Sequence, residues 1–470
     1  MHFIGVGGTL IGHLALLARQ AGHRVSGSDQ NIYPPMSDIL AEHRIDVCSQ
    51  SNLASLRPTP DLFILGNAGL ARGHPAVEYL LRENLPFLSG AEWLKDFVLA
   101  GRWVMAIAGT HGKTTTASML AWILENAGLK AGFVIGGVPR DFEASARLSP
   151  NCPFFVVEAD EYDTSYFDRR AKFLHYHPRT LVIGNVEYDH ADIYPNLDAI
   201  MQQFHLLLRT LPDNGRVIVP AGDDTIREIL DRGLWTPAVW LGRHKTKGQG
   251  QHPLWRGETT ATGFDLYLDD RPLGNVHWSL QGEHNTANAL AAIAAADHAG
   301  VPAEAAIEAL SSFAGVKRRL EEVGRWGALI LYDDFAHHPT AIACTLESLR
   351  SRFPNDRIVA LIEPSSHTMK RGDLLNRLAD CTSSADLAIW QNQQDLQWSI
   401  DSLAEESSGR IEANTDLNQL VERVAGWTKE ESTVHVVCMS NHAFGGIIDR
   451  ITKRCEAITG RHAADFEAAR

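Results

Sequence analysis

Short apolar runs, glycine turns and amphipathic stretches alternate along most of the chain. HFIGVGGTLIGHLALLARQAGHRVSGSD at the start reads as strand, glycine turn, helix and strand, and DLFILGNAG (Asp61 to Gly69) supplies a further strand. FLSGAEWLKDFVL then leads out towards Arg102. Strands and helices of this length in alternation predict a parallel sheet covered on both faces.

A second block opens on WVMAIAGTHGKTTT, continues through FFVVEAD (Phe154 to Asp160) and TLVIGNV (Thr180 to Val186), and reaches RVIV at Arg216. GFDLYLDDRPLGNVHWSL has the alternation and turn residues of a small antiparallel addition. Ala-rich helices from His284 to Phe313 close the block, and GVKRRLEEVG reads as a linker or hinge. Alternation returns in LILYDDFAHHP, RIVALIEPSS, DLAIW and STVHVVCMSN. A chain of 470 residues exceeds the roughly 250 to 300 that one core usually serves. We therefore expect an α/β protein of three domains, at residues 1–100, 101–315 and 316–470.

Composition narrows the function. Hydrophobic residues make up 44% and charged residues 21%, the balance of an ordinary globular protein. No apolar run is long enough to cross a bilayer, and MHFIGVGG enters a strand without a basic leader, so a cytoplasmic enzyme is expected. The six cysteines form no C-x-x-C pair, which argues against a zinc knuckle or a disulfide framework. A formal charge of −14 argues against nucleic acid as a partner but leaves room for small phosphorylated ligands held by local cations, backbone amides and a divalent ion.

The strongest chemical signal is Gly109-Thr110-His111-Gly112-Lys113-Thr114 between an apolar strand and a helix. Such a loop lines backbone N–H groups and one ammonium around an anion, with a helix N-terminus aimed at the same place. Thr114 offers a hydroxyl to phosphate-bound magnesium. Ile107 stands where the full phosphate-loop pattern has its first glycine. Gly5, Gly7 and Gly12 surround an earlier strand-to-helix turn, and Asp29 ends the next strand, where dinucleotide folds place a ribose-binding acid. Leu10 replaces the third fingerprint glycine, so those glycines serve either a nucleotide or close helix–strand packing. Glu158 and His190 end two apolar strands and offer one carboxylate and one imidazole to a divalent cation, or else cap those strands. His284, Asn285 and Asn288 at a helix start either cap it or reach a base edge. Arg318 and Arg319 at the hinge, and Asp333, Asp334, His337 and His338 at a strand end, suit either closure over a nucleotide or an interdomain ion pair. Lys370 and Arg371 in SHTMKRG are candidate cations for an anionic substrate or simply solvated.

GTHGKTT at 109–115, EADEYD at 158–163, NVEYDH at 185–190, GEHNTANA at 282–289 and DDFAHHPT at 333–340 together resemble the Mur ligases, in that family's order. The resemblance covers essentially the whole chain and implies a Rossmann-like N-terminal domain, a central P-loop ATPase domain and a Rossmann-like C-terminal domain. EADEYDTSYFDRR, YDDFAHHPTAI, EPSSHTMKRG and MSNHAFGGI are most similar to the peptidoglycan-recycling branch, which attaches an intact tripeptide. The implied reaction is ATP-dependent amide formation through an acyl phosphate. The implied ligands are UDP-N-acetylmuramate, L-Ala-γ-D-Glu-meso-diaminopimelate, ATP and Mg²⁺, with Mn²⁺ as a substitute. A ligase for L-alanine alone is the near alternative and a small-molecule kinase the distant one.

By the same resemblance, Gly109, Thr110, His111, Gly112, Lys113, Thr114, Thr115 and Asn185 face the nucleotide phosphates, and Thr114, Glu158 and His190 the metal. His284, Asn285 and Asn288 match the adenine side, Arg319 the hinge arginine near the phosphates, and Asp334 the acid near the ribose. Lys113, Glu158, His190 and Arg319 are the implied catalytic set; Gly7, Asp29, Asn67 and Ala68 lie on the UDP side, and His337, His338, Ser365, Lys370 and Asn441 on the remaining substrate side. Three departures stand out. No lysine occurs from 173 through 244, where many members carry a carbamylated one; Ser365 replaces a usual arginine; His442 and Ala443 replace two glycines.

Overall fold

In the computed structural model the described residues are 1–32, 36–49, 53–54, 56–67, 69–242, 253–280, 282–407, 409–460 and 462. Ala68, expected on the UDP side, lies outside them. The chain divides into two compact units. The first comprises Met1–Glu187, Asn196–Ser279 and Thr286–Gly315; the second comprises Tyr188–Pro195, Leu280–Asn285 and Val316–Arg470.

The first unit holds two sheets. Strands β1 (His2–Ile4), β2 (Ser26–Ser28), β3 (Asp46–Cys48), β4 (Phe63–Leu65) and β5 (Phe87–Ser89) are parallel, in the order β3-β2-β1-β4-β5. β2 and β3 lie on one side of β1 and β4 and β5 on the other, so the turn after β1 opens at the switch point where such sheets bind ligands. Helix Thr9–Gln20 begins there.

The second sheet is built from β6 (Trp103–Ala108), β7 (Gly132–Val134), β8 (Ala146–Arg147), β9 (Phe154–Ala159), β10 (Thr180–Ile183), β11 (Arg216–Pro220), β12 (Ala238–Leu241), β13 (Leu254–Thr260), β14 (Gly263–Leu268) and β15 (Arg271–His277). Their order is β15-β14-β13-β12-β11-β10-β6-β9-β7-β8. The strands from β7 to β13 pair in parallel, and their near-continuous apolar runs follow from burial on both faces. The antiparallel addition expected from GFDLYLDD and its sequel is present as β13–β14–β15.

The second unit carries β16 (Glu321–Trp326), β17 (Leu329–Asp334), β18 (Arg357–Ile362), β19 (Leu387–Gln391), β20 (Ile411–Asn414) and β21 (Val434–Met439), ordered β16-β17-β21-β18-β19-β20. Apolar clusters around Ile342, Ile358 and Trp390 and around Trp326, Val436 and Ile447 form its core. One expectation is corrected here. GVKRRLEEVG is not a linker to its end, because Glu321 onward forms β16, antiparallel to β17 with an irregularity between Glu322 and Gly324. An edge strand tolerates charges on its open side, which hides it from a reading based on apolar runs. Among the described residues no helix is long and apolar enough to cross a membrane.

Candidate active site

The turn after β6 is shaped by two left-handed glycines. Gly109 has φ +133° and Gly112 φ +79°, and helix Lys113–Asn126 begins immediately after Gly112. A Cβ on Gly112 would lie 2.4 Å from Asn288 Oδ1. The same amide oxygen accepts from Thr116 Oγ1 at 3.2 Å, so Asn288 braces the loop and the first helical turn. From the other side Asn185 pins the loop: its carbonyl accepts from Thr110 N at 3.0 Å, its Oδ1 from His111 N at 2.8 Å, and its Nδ2 donates to the His111 carbonyl at 3.2 Å. Thr110 Oγ1 accepts from Glu187 N at 2.9 Å. The result is a stiff cradle of backbone amides at a helix N-terminus, the arrangement that favours phosphate. Thr115 follows in the first turn and is buried.

Acids from the end of β9 and just beyond it meet this cradle. Thr114 Oγ1 donates to Glu158 Oε1 at 2.8 Å, and Gly136 N to Glu158 Oε2 at 2.6 Å. Burial, with Asp160 adding to it, pushes the Glu158 carboxyl up, while Lys113 and these two hydrogen bonds pull against that. Lys113 Nζ reaches Glu161 Oε2 at 2.9 Å, Asp160 Oδ1 at 3.6 Å and the Gly109 carbonyl at 2.6 Å. Burial alone would discharge this ammonium, but Glu161, Asp160 and Glu158 more than offset it and hold it above its ordinary value. A hydroxyl and a carboxylate in contact at the loop–helix junction are hard oxygen donors, and so fit Mg²⁺ or Mn²⁺.

On the N-terminal sheet Gly7 N donates to Asp29 Oδ2 at 2.7 Å, and Gln30 N to Oδ1 at 2.7 Å. A Cβ on Gly7 would fall 2.9 Å from Asp29 Oδ2, so this glycine permits the approach. Oδ2 of Asp29 thus holds the Gly7 turn, while Oδ1 holds the segment that follows Asp29 itself. Asn67 Nδ2 donates to Asp163 O and Oδ1 at 3.1 and 3.3 Å, joining the turn after β4 to the EADEYD segment.

The remaining expected residues belong to the second unit, and there Tyr188–Pro195 packs with residues far away in sequence. Asp189 Oδ1 accepts from Thr368 Oγ1 at 2.6 Å, and Arg371 Nη1 donates to the Ala191 carbonyl at 2.7 Å. Burial works against the charge on Asp189, but His190, His337, Thr368 and His338 hold its carboxyl well below the usual range. His190 itself sits at φ +56°. His338 is the N-cap of helix Pro339–Arg352, with Nδ1 accepting from Thr340 N at 3.3 Å and Nε2 against the Tyr188 carbonyl at 3.3 Å. His337 Nδ1 lies 3.0 Å from the Phe335 carbonyl. Asp334 is buried; its Oδ1 accepts from Ala336 N at 2.7 Å in the turn after β17, and its Oδ2 from Leu320 N at 2.6 Å at the entrance to β16. Arg318 donates to the Ser440 and His442 carbonyls, at 2.7 and 2.9 Å, and its guanidinium and that of Arg319 flank Phe335 at 5.3 and 4.8 Å. His284 is kept neutral down to about 4, by burial first and by Arg319 second. Asn285 closes a turn through its N–H to the Gly282 carbonyl. Ser365 Oγ donates to Asn441 Oδ1 at 2.5 Å, and Lys370 pairs with the exposed Asp395 at 2.9 Å.

The first unit therefore gathers the loop, Lys113, Thr114, Glu158, Asn185 and Asn288, and carries Gly7, Asp29 and Asn67. The second gathers His190, His284, Arg319, Asp334, His337 and His338. Residues that the motifs did not flag also matter: Glu161 and Asp160 hold the phosphate-loop lysine, Asp189 anchors Thr368, and buried Lys172 faces the same acids as Lys113. Glu161, Asp160 and Asp189 stood inside quoted motifs, whereas Lys172 had no signal beyond lying next to the apolar pair FL.

Comparison with known proteins matches residues 1–102 to the Mur ligase family catalytic domain, 107–296 to the Mur ligase middle domain and 318–440 to the Mur ligase glutamate ligase domain. The chain is 46% identical, over 97% of its own length and 99% of the relative's, to the UDP-N-acetylmuramate–L-alanyl-γ-D-glutamyl-meso-2,6-diaminoheptandioate ligase of Escherichia coli K12. It is 33% identical to the UDP-N-acetylmuramate–L-alanine ligase of an Anaeromyxobacter species, over 83% of this chain and 81% of that one. Among solved structures it resembles a murein peptide ligase from Psychrobacter arcticus, at 39% identity and a TM-score of 0.74, over 97% of this chain and 98% of that one.

Proposed function

Since this chain belongs to the Mur ligase family, we propose that it is an ATP-dependent ligase joining the lactyl carboxylate of UDP-N-acetylmuramate to the amine of L-Ala-γ-D-Glu-meso-diaminopimelate, in peptidoglycan recycling. The observation that carries this reading is the braced Gly109–Thr114 cradle, with Lys113 and the Thr114–Glu158 contact, on a chain matching a tripeptide ligase along 97% of its length. The alanine ligase matches at lower identity and over less of the chain.

A free carboxylate does not acylate an amine at neutral pH, because its leaving group is too poor. Transfer of the γ-phosphoryl group of ATP to that carboxylate gives an acyl phosphate and ADP. The amine of the peptide then attacks the acyl carbon, and phosphate leaves. In this account the loop amides and Lys113 bind and orient the triphosphate, so that its terminal phosphorus faces the attacking oxygen in line. Mg²⁺ or Mn²⁺, with Thr114 and Glu158 as ligands, would supply charge neutralisation on the phosphoryl oxygens. We assign UDP-N-acetylmuramate to the domain at residues 1–100, near Gly7, Asp29 and Asn67, ATP to 101–315, and the peptide to 316–470, near His337, Ser365, Lys370 and Asn441.

Phosphate release from purified protein with UDP-N-acetylmuramate, ATP and Mg²⁺ tests the assignment. Release is expected to be faster with the tripeptide than with L-alanine at matched concentrations, and equal or reversed rates would reassign the enzyme to the alanine branch. Oxygen-18 in the lactyl carboxylate is expected in the released phosphate, which separates a ligase from a kinase whose product keeps its phosphoryl group.

A further inference from the structure

Lys172 begins the short helical turn Lys172–His175, and none of the roles above uses it. It is only 8% exposed. The segment before it folds back through an Asp163–Ala171 bridge, and Lys172 N donates to the Tyr162 carbonyl at 2.9 Å, so the side chain stands beside the acids that follow β9. Its ammonium lies 5.4 Å from the centroid of the Tyr162 ring. Among the described residues that ammonium has no hydrogen bond or ion pair, although Asp160, Asp163 and Glu161 face it. A buried cation left unpaired is costly, by several kcal/mol in general.

Lys113 faces two of the same carboxylates and holds both, Glu161 at 2.9 Å and Asp160 at 3.6 Å, while also donating to the carbonyl of Gly109 in its own loop. A lysine so folded back is not extended towards a phosphate. Turning it outward would strip Glu161 and Asp160 of their cation beside an incoming polyanion, which repels both. Arg169 does not replace it, because that largely exposed side chain is committed to Asp163 at 2.6 Å.

Building on the nucleotide reading of the Gly109–Thr114 loop, we propose that Lys172 is a positioning residue: its ammonium takes over Glu161 and Asp160 when Lys113 turns to the phosphates of ATP. Two buried lysines thus share one pair of carboxylates, and the second releases the first for its ligand.

Full-length protein tests this by calorimetry with Mg²⁺–ATP and, separately, with UDP-N-acetylmuramate, together with steady-state kcat and KM for ATP. Lys172→Met is expected to weaken ATP binding tenfold or more and to raise KM for ATP by more than it lowers kcat, with sugar-nucleotide affinity unchanged. Lys172→Arg should stay within about threefold of the parent protein, since the charge is kept. Adding Glu161→Gln to Lys172→Met should recover most of the lost ATP affinity, because Lys113 then leaves one carboxylate behind, the more distant Asp160, instead of two. ATP affinity of Lys172→Met within twofold of the parent, or a loss that Glu161→Gln does not recover, overturns the proposal. Should Lys172→Met not fold, Lys172→Gln is measured in its place with the same criteria. Failure of the unsubstituted protein to bind ATP would overturn the nucleotide reading itself, an outcome distinct from failure of the variants.

Discussion

Gly112 and Asn288 approach so closely that a Cβ on the glycine would sit 2.4 Å from the amide oxygen of the asparagine, at a backbone φ of +79°. Gly112→Ala therefore meets both a left-handed backbone penalty and a collision, together about 2 kcal/mol or more. Relief requires Asn288 to move away from Thr116, which opens the cradle. ATP affinity measured by calorimetry is expected to fall at least tenfold, while UDP-N-acetylmuramate affinity stays within twofold.

Lys113→Ala removes the one lysine of the Gly109–Thr114 segment, which holds no arginine. Phosphate release is expected to drop roughly a thousandfold, the scale seen when a charge-stabilising donor is lost. Sugar-nucleotide affinity should hardly change, because Gly7, Asp29 and Asn67 belong to the N-terminal sheet and its turns. A variant that turns over normally but no longer binds UDP-N-acetylmuramate would contradict the assignment of ligands to domains.

Thr368→Val deletes the hydroxyl that donates to Asp189 at 2.6 Å and leaves a buried carboxylate one partner short. The cost is about 2 kcal/mol, seen as a lower urea midpoint for the second unit. Thr368→Ser, which keeps the donor, should recover most of it.

Five histidines, His2, His13, His284, His298 and His337, are held neutral down to about 4, in each case by burial first. Their folded values lie below the unfolded one of about 6.5, so the unfolded chain binds more protons between those limits. Stability is therefore full above about pH 6.5 and is lost as pH falls towards 4, with a slope of about 1.4 kcal/mol per pH unit for each proton taken up. A thermal melt series from pH 7.5 to 4.5 should show this decline, and His284→Gln should make it shallower. A flat profile over that range would show that these groups titrate alike in both states.

The phosphate cradle was legible because its determinants are local. An apolar strand, Gly109, Gly112, Lys113 and a helix occupy one short stretch, and each residue type has one conformational or chemical reason to be there. The strand end at Glu158 was legible for the same reason. Strand β16 was not, since Glu321, Glu322 and Arg325 on an edge look like a charged linker. Lys172 escaped notice because its burial depends on the return of the segment 163–171, which no periodicity announces. Placement of Tyr188–Pro195 was equally hidden: its partners Thr368 and Arg371 lie about 180 residues away.

That last feature bears on modularity. The polypeptide passes between its two units after Glu187, Pro195, Ser279, Asn285 and Gly315. A fragment beginning at Val316 would lack the acceptor for Thr368 and the carbonyl that receives Arg371. The C-terminal portion is thus not a cassette that recombination or a single protease cut can exchange intact, and swapping it between relatives requires grafting the two distant segments along with it.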